Sequence, residues 1–289
     1  MDLHALVLTV LKTSIFLTVF ALGLQATFAD VTFLFRRPRL LIRGFLSMNV
    51  AMPALALFSV LAFHLDPPVQ IALVALSVSP VPPIFPKKIL KAGGEEDYTI
   101  GLLTATVVLA IFVIPITMEI FQWVTGVPLH MSIPSVAIIV FKTVLTPLLA
   151  GIVVRVVASK FADRIAKPLA ILAAALLVLS ALPPLFVLIR TITPYLFKGK
   201  ALALVVFAVC GYIIGYFFGG PEPEHRSVLA QATASRHPGL AVAIAHANFP
   251  EQKLVVPAII VYLIVSMLVT SLAPKLIKGS KAQAAAQGK

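Results

Sequence analysis

Residues 235–250 read SRHPGLAVAIAHANFP, so an arginine, a histidine, a proline and a glycine follow one another inside otherwise apolar sequence. Arg236 is a fixed cation, and His237 is a group that titrates near neutral pH. Ser235 and Thr233 add hydroxyls beside them. Pro238 removes an amide hydrogen and Gly239 relaxes the backbone, so a helix cannot run through undisturbed. The chemistry this suits is capture of an anionic group at an interrupted helix. A second stretch, VQIALVALSVSPVPPIFPKKILKAGG over 69–94, holds Pro80, Pro82, Pro83 and Pro86, with Phe85 among them. Such a cluster cannot be continuous helix either. Lys142, in IVFKTVLTP, is a further cation that suits an anionic substrate or, equally, a snorkelling role. Lys12 reads as a snorkelling residue, and Lys87 and Lys88 are explained by topology. His246 and Asn248 read as interfacial residues, and GGEEDY over 93–98 as a charged turn.

The elements that must position these residues are membrane spans. The chain has 289 residues, 60% hydrophobic and 12% charged, with mean hydropathy +1.04. A soluble domain carries about 25% charged residues. Apolar runs near 20 residues recur from end to end, long enough to cross a hydrocarbon core of about 30 Å. The expected spans are 5–28, 40–63, 69–92, 98–118, 133–154, 168–189, 201–219, 226–247 and 254–274, an all-α polytopic membrane protein. No shorter segments of alternating polarity suggest a membrane β-barrel. The first run is too long for a signal-peptide core and lacks a basic leader. The single cysteine, Cys210, excludes an internal disulfide and a cysteine-based zinc cluster.

Basic residues orient the spans. With the N-terminus outside, the inner segments hold Arg36, Arg37, Arg39, Arg43, Lys87, Lys88, Lys91, Arg155, Lys160, Arg164, Lys167, Arg226, Lys275, Lys278, Lys281 and Lys289. The outer segments hold only Arg190, Lys198, Lys200 and Lys253. The positive-inside rule therefore selects N-out and C-in. Topology and contact with anionic lipid account for the net charge of +12, and no nucleic-acid-binding motif accompanies it.

The proline cluster of 69–92 and the Pro238-Gly239 break of 226–247 fall near the middle of their spans. Backbone freed at membrane depth must face protein or a water-filled cavity. Interruptions in corresponding halves of a chain point to inverted repeats with a binding site where the breaks meet.

Two longer stretches extend the reading: ALGLQATFADVTFLFRRPRLLIRGFLSMNVAMPALA over 21–56 and PGLAVAIAHANFP over 238–250. Together they resemble the bile acid:sodium symporter family, in a form with nine spans. The resemblance implies a core domain, 40–124 and 200–275, with discontinuous helices 69–92 and 226–247 crossing at the midplane. It implies a panel domain, 1–28 and 133–191, that rocks against the core, and it leaves 276–289 as a cytoplasmic tail. A bacterial inner-membrane location is expected.

The chain departs from the family where sodium is held. The resemblance places Ala232 where the family has a carboxylate and Arg236 where it often has glutamine. Pro82, Pro83, Ile84, Phe85 and Pro86 stand where it has small, hydroxyl or amide residues. These side chains offer sodium no oxygen ligands, which argues against sodium coupling; no cofactor is expected. Arg236, at the negative end of a half-helix dipole, is expected to take the electrostatic place of the ion. Uniport, exchange and proton coupling through His237 are the alternatives. The function expected is alternating-access transport of a small or amphipathic organic anion. The rivals are an auxin-carrier-like efflux transporter and a receptor that binds without moving its ligand. An enzyme would need an Asp-rich metal motif, a His-Glu-x-x-His helix or a partnered serine nucleophile, and none is present.

Overall fold

The computed structural model describes residues 3–82, 89, 95–127, 129, 132–176, 179, 200–252 and 254–287, and among these the regular structure is helical throughout. Helix α1 is Leu3–Gly23. The short α2, Phe28–Thr32, starts in a capping box: the Thr27 hydroxyl accepts from the Asp30 amide, and the Asp30 carboxylate accepts from the Thr27 amide at 2.6 Å. Helix α3 is Pro38–Ala62, α4 Pro67–Val78, α5 Glu96–Thr125 and α6 Ile133–Val157. A helix over 159–176 follows as α7. Then come α8 Lys200–Phe218, α9 Pro223–Ala234, α10 Pro238–Asn248 and α11 Val255–Gln287. Among the described residues, α3, α5, α6 and Val255–Pro274 of α11 are long and apolar enough to cross a bilayer. Lys12–Gly23, Pro67–Val78 and Leu202–Phe218 are shorter apolar helical stretches.

Local sequence explains most boundaries. Helices α3, α4, α6, α9 and α10 all carry proline in the first turn, where the missing amide costs nothing. Two helices widen into a π turn, Leu46–Ala51 in α3 and Phe141–Leu145 in α6. Each π turn lies just ahead of an internal proline, Pro53 and Pro147 respectively. A proline ring clashes with the carbonyl four residues back, and one wider turn relieves that clash while freeing carbonyls from the α-helical ladder.

Close backbone approaches tie the helices together. Helix α1 packs on α6 through Gly23 and Gly151; a Cβ on Gly151 would stand 2.4 Å from the Phe20 carbonyl oxygen. Helix α8 packs on α9 through Gly215, where a Cβ would stand 2.4 Å from the Leu229 oxygen. Small residues at helix crossings give this closeness where lipid supplies no hydrophobic drive.

The two expected interruptions are in contact. Helix α4 stops at Val78, and the backbone runs on irregularly from Ser79. Helix α9 stops at Ala234, and α10 starts again at Pro238. Between them, the His237 amide donates to the Pro80 carbonyl at 2.9 Å. Pro83, Phe85, Pro86 and the neighbouring Ile84, Lys87 and Lys88 lie outside the described residues. So do Lys91, Arg190, Lys198, Lys253 and Lys289 of the topology argument.

Candidate functional site

Three elements converge on Arg236. The irregular segment after α4 brings the Ser79 carbonyl, the π turn of α3 brings the Met48 carbonyl, and the gap between α9 and α10 brings the guanidinium itself. Arg236 Nη1 donates to Ser79 O at 3.0 Å, and Nη2 donates to Met48 O at 3.2 Å. Both acceptors sit where the regular α-helical ladder is interrupted. The side chain is 1% exposed, its Nε has no hydrogen-bond partner, and no ion pair joins it to a carboxylate among the described residues. A cation is thus held by carbonyl dipoles alone, at the negative end of one half-helix.

Supporting contacts hold the gap open in one geometry. Tyr262 of α11 donates its hydroxyl to the Ala234 carbonyl at 2.8 Å, which satisfies the last turn of α9. Thr233 and Ser47 share a hydrogen bond of 2.7 Å between hydroxyls. That bond docks α9 on the π turn of α3, so Thr233 spends its hydroxyl on the scaffold. Ser235 is buried in the gap and extended. Pro80 and Pro82 are buried opposite, Pro238 is half-buried and Gly239 exposed.

His237 is the N-cap of α10: its Nδ1 accepts from the Leu240 amide at 3.2 Å. An imidazole accepting at Nδ1 carries its hydrogen at Nε2 and is neutral. A second proton would remove the cap. If His237 is a cap rather than a proton carrier, His237→Asn, which caps equally well, should keep the wild-type pH profile of transport. His237→Ala should lose about 1 kcal/mol of stability. A pH optimum displaced in the asparagine variant would restore the proton-carrying role.

Lys142 lies apart from this cluster. It is exposed within the π turn of α6, an element packed on α1. The crossing itself is closed in this conformation, with Ser79, Val81, Arg236 and His237 all buried. The expected polar pocket is therefore an occluded polar contact, filled by the Arg236 side chain.

Sequence reasoning passed over the other half of the site. Ser79 and Met48 take part through carbonyls, which leave no trace in residue type. Asn49, next to Met48, has a buried Nδ2 without a partner among the described residues; its signal was a lone amide in an apolar span. Away from the crossing, the charged turn at Glu95 also does more than cap a helix. The Glu95 carboxylate meets His225 Nε2 at 2.7 Å, and the Tyr98 ring lies 4.7 Å from the His225 ring. This joins the start of α5 to the start of α9.

A family model described as Sodium Bile acid symporter family matches residues 13–193, more than half of the chain. The match includes the π turn of α3 and the first interruption and ends before Arg236. No curated protein matches the chain.

Proposed function

Because the chain belongs to the sodium bile acid symporter family, whose members are membrane transporters and not enzymes, we propose that it moves an organic anion without sodium. Arg236 serves as a built-in cation. The observation that carries this reading is the fully buried guanidinium held between the Ser79 and Met48 carbonyls, with no carboxylate ion-paired to it among the described residues. Unwound carbonyls and half-helix ends are the groups with which transporters of this kind hold sodium. A tethered guanidinium satisfies the same groups and never dissociates.

In the transport cycle we envisage, residues 40–124 and 200–275 form the moving core, and residues 1–28 and 133–191 form the panel. Rocking of one against the other opens the closed crossing to either side. The anionic group of the substrate then meets the N-terminal end of α10, whose dipole favours negative charge, and the Arg236 Nε donor that has no partner among the described residues. Ser235 lines the same gap. Pro82 supplies an apolar wall, and Lys142 on the panel is a second cation for larger substrates. The family match favours this reading over the auxin-carrier-like one.

The test is a thermal-shift screen of the purified protein in detergent. The panel comprises bile acids, aliphatic and aromatic carboxylates, and sulfonates, in sodium chloride and in choline chloride. At least one anion is expected to raise the melting temperature equally in both salts, and to be taken up by sodium-free proteoliposomes. Stabilisation and uptake that require sodium would end the proposal.

A further inference from the structure

A different cation, Arg43, is left over by the crossing. It is half-buried in α3, and among the described residues its guanidinium makes no hydrogen bond or ion pair. The nearby Glu222 carboxylate attracts Arg43 only weakly, behind its own backbone N–H and His225, and makes no ion pair with it. It accepts from its own backbone N–H, which holds its pKa below the usual carboxylate range, and it lies 3.4 Å from His225 Nδ1. Arg43 borders a shallow, open depression of about 350 Å³ between α3 and the end of α8, lined also by Leu46, Phe217, Phe218 and Gly220.

The shape of this depression is set by the turn after α8. Gly220 has φ +90°, and a Cβ there would stand 2.0 Å from Arg43 Nη1. Glycine is required here by the positive φ, and it lets the Arg43 guanidinium lie against the turn. The Gly220 carbonyl accepts from Arg226 Nε, which fixes the turn and adds a second positive charge close by. Arg39 precedes Arg43 by four residues, on the same face of α3.

Beneath the cations the surface is apolar and continuous. Leu202, Val206, Val209, Ile213 and Phe217 are exposed at helical spacing along α8, a stripe that starts at the depression and runs the length of the helix. In an integral membrane protein such a stripe faces acyl chains. A cationic group at the head of an apolar groove between two helix ends complements one molecule that carries both features.

We propose that this groove is a binding site for a single anionic phospholipid. Its phosphate sits against Arg43, with Arg39 one turn away, and one acyl chain passes Leu46 and Phe217 to lie along the α8 stripe. A free phosphate would use the guanidinium and leave the groove uncovered; the contiguous apolar wall argues for the lipid.

Native mass spectrometry of the full chain, titrated with phosphatidylglycerol or phosphatidylcholine, tests this directly. The wild type is expected to retain one phosphatidylglycerol in preference to phosphatidylcholine. Arg43→Gln should weaken that preference about fivefold, and Arg43→Lys should keep most of it. Arg164→Gln, which removes an exposed guanidinium elsewhere, should leave it unchanged. Equal losses in the Arg43 and Arg164 glutamine variants would mean diffuse attraction and overturn the site. So would displacement of the bound lipid by millimolar inorganic phosphate alone.

Discussion

Arg236→Met is expected to reduce uptake of an anion found by the binding screen at least about thirtyfold, while the melting temperature moves by no more than about 4 °C. Transport and stability separate here because the two energies depend on different groups. Removing one partner of a buried charged contact costs a ligand about 2–5 kcal/mol, enough to account for the loss of uptake. On the stability side, methionine leaves the Ser79 and Met48 carbonyls without their donors, at about 1–3 kcal/mol each when buried. Against that, methionine removes a charge that is 1% exposed and lacks an ion-pair partner among the described residues. Its desolvation costs several kcal/mol. The opposing terms are of similar size, so the folded protein persists without its cation. Uptake within tenfold of wild type by a well-folded Arg236→Met protein would show that the guanidinium is scaffold only.

The double variant Ala232→Glu/Arg236→Gln is expected to acquire what the wild type lacks, a melting temperature that rises in sodium chloride relative to choline chloride. The resemblance to the family motivates the pair, since it places a carboxylate at the first position and glutamine at the second. Ala232 is fully buried, so a carboxylate there cannot stay charged without a cation beside it. Removing the guanidinium vacates the Ser79 and Met48 carbonyls, the kind of unwound backbone that coordinates sodium. A ligand present at a hundred times its dissociation constant stabilises by about 2.7 kcal/mol, or roughly 5–11 °C for a chain of this order. The single variant Ala232→Glu should instead pair with Arg236 and remain insensitive to sodium. A folded double variant that melts identically in both salts would remove the idea that guanidinium and sodium exchange roles.

Both experiments rest on an interruption that was legible from a few residues. Four prolines at 80, 82, 83 and 86, and the pair Pro238-Gly239, forbid continuous helix by their own covalent chemistry. No partner is needed to know this, and α4 and α9 indeed stop at Val78 and Ala234. The length and apolarity of the runs were equally plain, as were the resemblance carried by 21–56 and the cationic type of residue 236. The π turns were not read, although each has a local cause in the proline that follows it. The clash of a proline with the carbonyl four residues back can be relieved by a kink, a bulge or a break. Choosing among these depends on which neighbours can take up the freed groups.

What residue types and spacing determined alone was the class of protein and the places where helix cannot continue, because propensity, hydropathy and a missing amide act within a few residues; the family entered as a resemblance. The tertiary structure decided what fills those gaps. Arg236 could have faced water, a carboxylate or a ligand; it lies against carbonyls contributed by residues 157 and 188 positions away. Glu95 could have ended as a solvated turn; it meets a histidine 130 positions along the chain. Backbone oxygens are the same at every residue. Only their arrangement in space shows which of them a ladder has left free, and which cation comes to meet them.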